Sequence, residues 1–131
     1  MGYMIYELEI GMLPPVEYSG NSRAHWSQRY RAGKEYGQAV FYSAVDKKNR
    51  ALEAKETLPV FNQPRLELTF VFSVNRTRDF DNLLSRFKPG LDALVRAAVL
   101  PDDNTNKLKL GEITVIVDKE RAPLTIVRLV E

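Results

Sequence analysis

From Arg65 to Val74 the chain reads Arg-Leu-Glu-Leu-Thr-Phe-Val-Phe-Ser-Val, and a short polar stretch then leads into Arg78-Asp79-Phe80-Asp81-Asn82 and a helical pattern. Alternation places Leu66, Leu68, Phe70, Phe72 and Val74 on one face of a strand, with Glu67, Thr69 and Ser73 on the other. A strand with one apolar face must bury it against a second layer. The partners are readable on both sides. Tyr3 to Ile10 alternates as a first strand, ended by Gly11 to Pro15. From about Ser27 to Lys55 the spacing predicts one long helix, with Tyr36, Val40 and Ala44 at i, i+4 and i+8. Its opposite side carries Arg31, Lys34, Asp46, Lys47, Lys48 and Arg50, a polar or phosphate-facing surface. Leu58 to Pro64 is a loop.

A second helical region is expected from about Asp81 to Ala98, with Leu84, Phe87, Leu91, Leu94 and Val95 inward. Pro89-Gly90 should kink or restart it. Leu100 to Lys107 reads as a polar turn. Leu110 to Asp118 and Leu124 to Val130 are expected to form a hairpin across Lys119 to Pro123. The order β-α-β-α-β-β predicts an α+β fold, with a four-stranded mixed sheet and two helices packed on one face. Neither a repeat nor a linker divides the chain, so residues 1–131 are expected to form a single domain.

Composition narrows the chemistry. The chain has no cysteine and one histidine among 131 residues, which excludes disulfide frameworks and thiolate or nitrogen-rich metal sites. A bound metal would have to be held by oxygen, which favours magnesium, manganese or calcium. No stretch is apolar enough to cross a bilayer, and the opening Met1-Gly2-Tyr3-Met4 does not resemble a signal peptide, so a cytoplasmic protein is expected. The net charge of +2 is compatible with a nucleic-acid partner without requiring one. Its placement says more. Arg76, Arg78, Arg86 and Lys88 bracket one acidic cluster, and Lys107 and Lys109 follow another.

The first of those clusters is Asp79-Phe80-Asp81. In an extended segment its two carboxylates share a face and Phe80 turns to the core. Carboxylates that close repel each other unless one protonates or a cation lies between them. Magnesium takes one or two carboxylates, with waters or phosphate oxygens completing its shell. An N-cap role would account for Asp81 but leave Asp79 unexplained. The second cluster, Leu100-Pro101-Asp102-Asp103-Asn104, needs only to be a turn. It becomes a partner of the first if the chain reverses between them.

These residues together, Arg78-Asp79-Phe80-Asp81-Asn82-Leu83, Lys88-Pro89, Asp92-Ala93-Leu94 and Val99-Leu100 before Asp102-Asp103, resemble the RusA family of Holliday-junction resolvases. Asn21 and His25-Trp26 ahead of a long basic helix are similar to its amino-terminal portion. The resemblance follows motif order across the domain, with its specificity between Arg78 and Asp103. It implies a homodimeric, magnesium-dependent endodeoxyribonuclease, with manganese as a possible substitute, that makes paired symmetric nicks in four-way or branched DNA. Its metal ligands would fall on Asp79, Asp81 and Asp103, with Asp102 and Asn82 as supporting residues. The family's catalytic lysine falls on Ser85 counted forward from Asp81, and on Lys88 counted back from Asp92. The segment is three residues longer than expected, close to one helical turn, so Lys88 is the choice. Arg76, Arg78, Arg86, Lys47 and Lys48 would contact DNA. His25 could orient water or touch phosphate, or could simply close the loop at the helix start. Trp26 is expected in the core, the alternative being a stack on an unpaired base. Tyr30 and Tyr36 are expected in the core. Two other classes share these features: a nucleic-acid-binding module that does not cut, and a different magnesium phosphoesterase.

Overall fold

The computed structural model describes residues 3–20 and 22–131; Met1, Gly2 and Asn21, the last a residue of the amino-terminal resemblance, lie outside the described residues. The elements run β1 (Ile5–Ile10), a 3-10 turn (Val16–Tyr18), α1 (Trp26–Glu53), β2 (Arg65–Phe72), α2 (Phe80–Arg86), α3 (Lys88–Arg96), β3 (Lys109–Val117) and β4 (Leu124–Val130). The fold is α+β, with four strands in one mixed sheet. Tyr6, Leu8 and Ile10 of β1 join Leu66, Leu68, Phe70 and Phe72 of β2 and Val127 and Leu129 of β4 in one core. Tyr36, Val40 and Ala44 of α1, Leu83 and Phe87 at α2, and Ala93 and Leu94 of α3 complete it, so all three α-helices contribute to a single apolar interior. The opposite sheet face carries Glu7, Glu67 and Arg128 in register across β1, β4 and β2.

The strands lie in the order β1-β4-β2-β3, which corrects the expected hairpin. β3 and β4 do not pair. β3 runs parallel to β2, while β4 lies antiparallel between β2 and β1. Alternation identifies a strand but not its neighbour. The deciding difference is burial. Leu124, Thr125, Val127 and Leu129 are all buried, as a central strand requires, whereas β3 is half-exposed along its length and suits an edge. The connection from Asp118 to Pro123 therefore passes the end of β2, where Asp118 donates its backbone N–H to Phe72 O at 2.8 Å. Gly111 and Glu112 sit at a register shift opposite Glu67. A side chain at Gly111 would meet the Arg65 stem at 2.7 Å.

The expected second helix is two helices, broken at Phe87. Pro89 is the cause: it lacks the N–H that would continue the ladder of α2, and its fixed φ suits the first turn of a new helix. Gly90 lets this turn close on the core, since a Cβ there would sit 2.9 Å from both the Phe87 and Tyr36 rings. α3 ends with Ala98 at φ 59. The Val99 N–H reaches back to Leu94 O at 3.0 Å, reversing the chain sharply. This reversal returns the following loop along α3.

Several residues lie elsewhere than their sequence pattern implies. Tyr36 is not one of them: it is buried as expected, its hydroxyl bonded to Thr125 Oγ1 at 3.0 Å. Trp26 (72% exposed), Tyr30 (64%) and Phe80 (60%) are not core residues, and Val74 is half-exposed. Trp26 and Tyr30 occupy the first turns of α1, ahead of the stretch whose buried residues begin at Gly33. Val74 lies past the end of β2, and helix α2 starts at Phe80, so strand alternation no longer governs either side chain.

Candidate nuclease site

β2 ends at Phe72, and residues 73–79 lead to the start of α2. Asp79 is the N-cap of α2, with φ −90 and ψ 136, but its side chain makes no capping hydrogen bond. The cap is thus Asp79 rather than Asp81, and Asp79 leaves its carboxylate unused by the helix. Asp81 lies in the first helical turn, where its Oδ1 accepts the Asn82 N–H at 2.9 Å. Because Phe80 already belongs to the helix, the two carboxylates project from a helix start, not from one face of a strand. Both are exposed. Negative charge at this end of α2 is favoured by the orientation of its peptide dipoles.

The second acidic cluster meets Lys88. At the first turn of α3, Lys88 Nζ donates to Asp103 Oδ2 at 2.7 Å and pairs with Asp92 Oδ1 at 2.9 Å. Lys88 and Asp103 are 15 residues apart, and only the reversal at Ala98 brings them together. The hydrogen bond from Lys88, and its charge, hold the Asp103 carboxyl below the usual carboxylate range. Lys88 is raised in return, first by the hydrogen bond to Asp103 and then by that to Asp92. Asp102 shapes the turn: its Oδ1 accepts the Asp103 N–H at 2.7 Å, and its Oδ2 accepts from Asn104 Nδ2 at 3.2 Å. Ser85, the other position for the lysine, turns its hydroxyl back to Asp81 O at 2.9 Å. Asp92 was not assigned to the site from sequence, although its i, i+4 spacing from Lys88 carried the signal.

Beside Asp79 runs a groove of about 310 Å³, lined among others by Ser19, Ser22, Thr77, Arg78, Asn82 and Arg86. Its wall is the loop carrying the 3-10 turn, pinned by Arg29, whose Nη1 donates to Glu17 O at 2.8 Å while its guanidinium lies over the Tyr18 ring. The arginines divide in role. Arg86 donates from Nε and Nη2 to Pro14 O at 3.1 and 2.7 Å, so it tethers the loop after β1 rather than standing ready for phosphate. Burial, followed by the nearby Arg78 charge, lowers its pKa. Arg78 covers the Phe72 ring at 3.6 Å and donates to Arg76 O and Val74 O, fixing the approach to α2. Arg76 is exposed. Lys48 is exposed on α1, while Lys47 lies 5.2 Å over the Tyr6 ring. His25 is the N-cap of α1; its Nδ1 accepts the Ser27 N–H at 3.2 Å.

The donor set fits a hard divalent cation in kind, being carboxylate oxygen throughout. Among the described residues no three His, Cys, Asp or Glu side chains form a ready metal cluster. Asp79 and Asp81 stand at one helix start, while Asp103 is held by Lys88. Among the described residues, no helix is long and apolar enough to cross a membrane.

No family model matches the chain. Over 89 residues, 68% of its length, it is 35% identical to an uncharacterised protein of Xylella fastidiosa (strain Temecula1 / ATCC 700964). The matched region spans 56% of that protein, so the chain corresponds to little more than half of the relative.

Proposed function

We propose that this chain is a magnesium-dependent endodeoxyribonuclease acting on four-way or branched DNA, in the manner of the RusA-type resolvases it resembles. The observation that supports the reading is the 2.7 Å contact between Lys88 and Asp103, which sets the lysine such an enzyme would use beside one of its expected aspartates. Asp79 and Asp81 would hold the metal, with manganese as a substitute, and Asp103 would join them once Lys88 releases it. The metal when bound would activate water and offset charge on the phosphate. Lys88, a compact cation on a flexible stem, would then turn to the phosphate oxygens and stabilise the charge that builds there. Arg76 and Lys48 would hold flanking phosphates, and these contacts position without specifying sequence. A homodimer would set two such sites on opposed strands of a two-fold junction.

The test is incubation of an end-labelled four-way DNA junction with magnesium and either the parent or Asp79→Asn. Paired symmetric nicks from the parent, and retained binding without nicks from the variant, are expected. Junction binding with no cleavage in magnesium or manganese would instead mark a non-cutting binding module.

A further inference from the structure

Trp26 and Tyr30 remain after the site is assembled. They are one helical turn apart, at i and i+4, and are 72% and 64% exposed. Their angular position is unusual for exposed aromatics. Gly37 follows Tyr30 by seven residues and Trp26 by eleven, spacings that return to the same side of a helix. At Gly37, α1 presses against α3 so closely that a Cβ would lie 3.3 Å from Pro89 O. The aromatic pair therefore prolongs the stripe that α1 buries against α3, past the point where anything covers it. Along the axis, Tyr30 and Trp26 stand roughly 10 and 16 Å from Gly37. Pro89, which touches Gly37, is the neighbour of Lys88. Along α1 the aromatic ledge thus lies about three to five stacked nucleotides, at 3.4 Å each, from the point where the helix meets Pro89.

Charge indicates what would occupy it. From Ser22 to Lys34 there is no Asp or Glu, while Arg23, Arg29, Arg31 and Lys34 are present. Arg29 is committed to Glu17 O and the Tyr18 ring. Arg23, Arg31 and Lys34 are exposed, and none forms an ion pair among the described residues. Flat rings bordered by cations that form no ion pair suit a polyanion with π-faces. We infer that Trp26 and Tyr30 form a stacking platform for an unpaired base of a DNA strand, with Arg23, Arg31 and Lys34 on its phosphates. The inference rests on the DNA-cleaving reading, to which it adds a binding site for single-stranded segments.

Trp26 is the only tryptophan in the chain, so its emission reports the contact directly. The full chain is titrated, in chelator to prevent cleavage, with a labelled oligothymidylate of about 12 nucleotides, within the usual size of such sites. An abasic strand of equal length and an intact four-way junction are titrated in parallel, and label anisotropy measures binding independently. The expected result is quenching by the oligothymidylate but not by the abasic strand. Trp26→Ala should weaken single-strand binding about 5- to 150-fold, and Trp26→Phe should restore most of it. Strand binding with unchanged emission overturns the platform, as does Trp26→Ala binding as tightly as the parent. Quenching that follows protein concentration without DNA also overturns it, because the ledge would then be a contact between copies. If the junction is bound and nicked while Trp26→Ala changes nothing, this inference alone fails. If neither DNA is bound, the proposed function fails with it.

Discussion

Lys88→Met separates a catalytic lysine from a surface ion pair, because the two roles predict effects of very different size. The substitution keeps the length of the stem and removes the charge, breaking contacts of 2.7 Å to Asp103 and 2.9 Å to Asp92. The Lys88 side chain is 51% exposed and that of Asp103 28%, so solvent screens both contacts. Exposed pairs contribute roughly 0.2–1 kcal/mol, and two that share one ammonium should together stay near 1 kcal/mol. For a domain of this size that lowers Tm by roughly 2–6 °C. Loss of a group that stabilises charge in the transition state costs about 100- to 1000-fold in rate, or roughly 3–4 kcal/mol. Single-turnover nicking of a junction at saturating enzyme, beside thermal melts in the same buffer, measures both. A fall in rate of less than about tenfold with the full loss of Tm would make Lys88 a structural residue and refute the assignment. Asp103 gives a second readout: released from Lys88, it should let magnesium bind up to about fivefold more tightly by calorimetry, even as cleavage is lost.

Ala98→Gly should stabilise the chain by up to about 1 kcal/mol in chemical denaturation, because Ala98 holds φ 59, a conformation that costs an alanine and suits glycine. Tyr36→Phe should cost about 1–2 kcal/mol, as it removes the buried bond to Thr125 Oγ1, whereas Tyr6→Phe should be neutral or stabilising, since the Tyr6 hydroxyl is buried with no partner among the described residues. Burial raises the Tyr6 pKa to about 12, so its neutral form is favoured by folding; that stability is complete below pH about 10 and is lost as pH rises through about 12, seen as falling Tm in alkaline melts. Asp103 behaves in the opposite sense: its depressed pKa adds stability above the ordinary carboxylate range, and the difference in Tm from Asp103→Asn should shrink as pH falls below about 4.

Local pattern was enough to identify every strand of the sheet and the long helix, because periodicity of two or of 3.6 is written into neighbouring residues. It also marked Pro89 as a breakpoint. Pairing was a different matter. β3 and β4 adjoin in sequence and read as a hairpin, yet β2 lies between them, since the choice depends on which strand is the more deeply buried. The same division runs through the site. Asp79 and Asp81 could be singled out by type and spacing, whereas Asp103 and the two positions for the lysine were marked by the resemblance to a known family. Which carboxylate met Lys88 was decided by a left-handed alanine that no turn residue announced. Arg86 shows the limit most plainly: its charge suggested DNA, while its contacts, Pro14 O and the Phe72 ring, come from segments distant in sequence. Trp26 shows the converse. Its large apolar ring argued for burial, but burial needs a covering element, and the fold leaves the Trp26 and Tyr30 side of α1 exposed. Sequence determines what each segment prefers to be; only the packed chain determines what lies next to it.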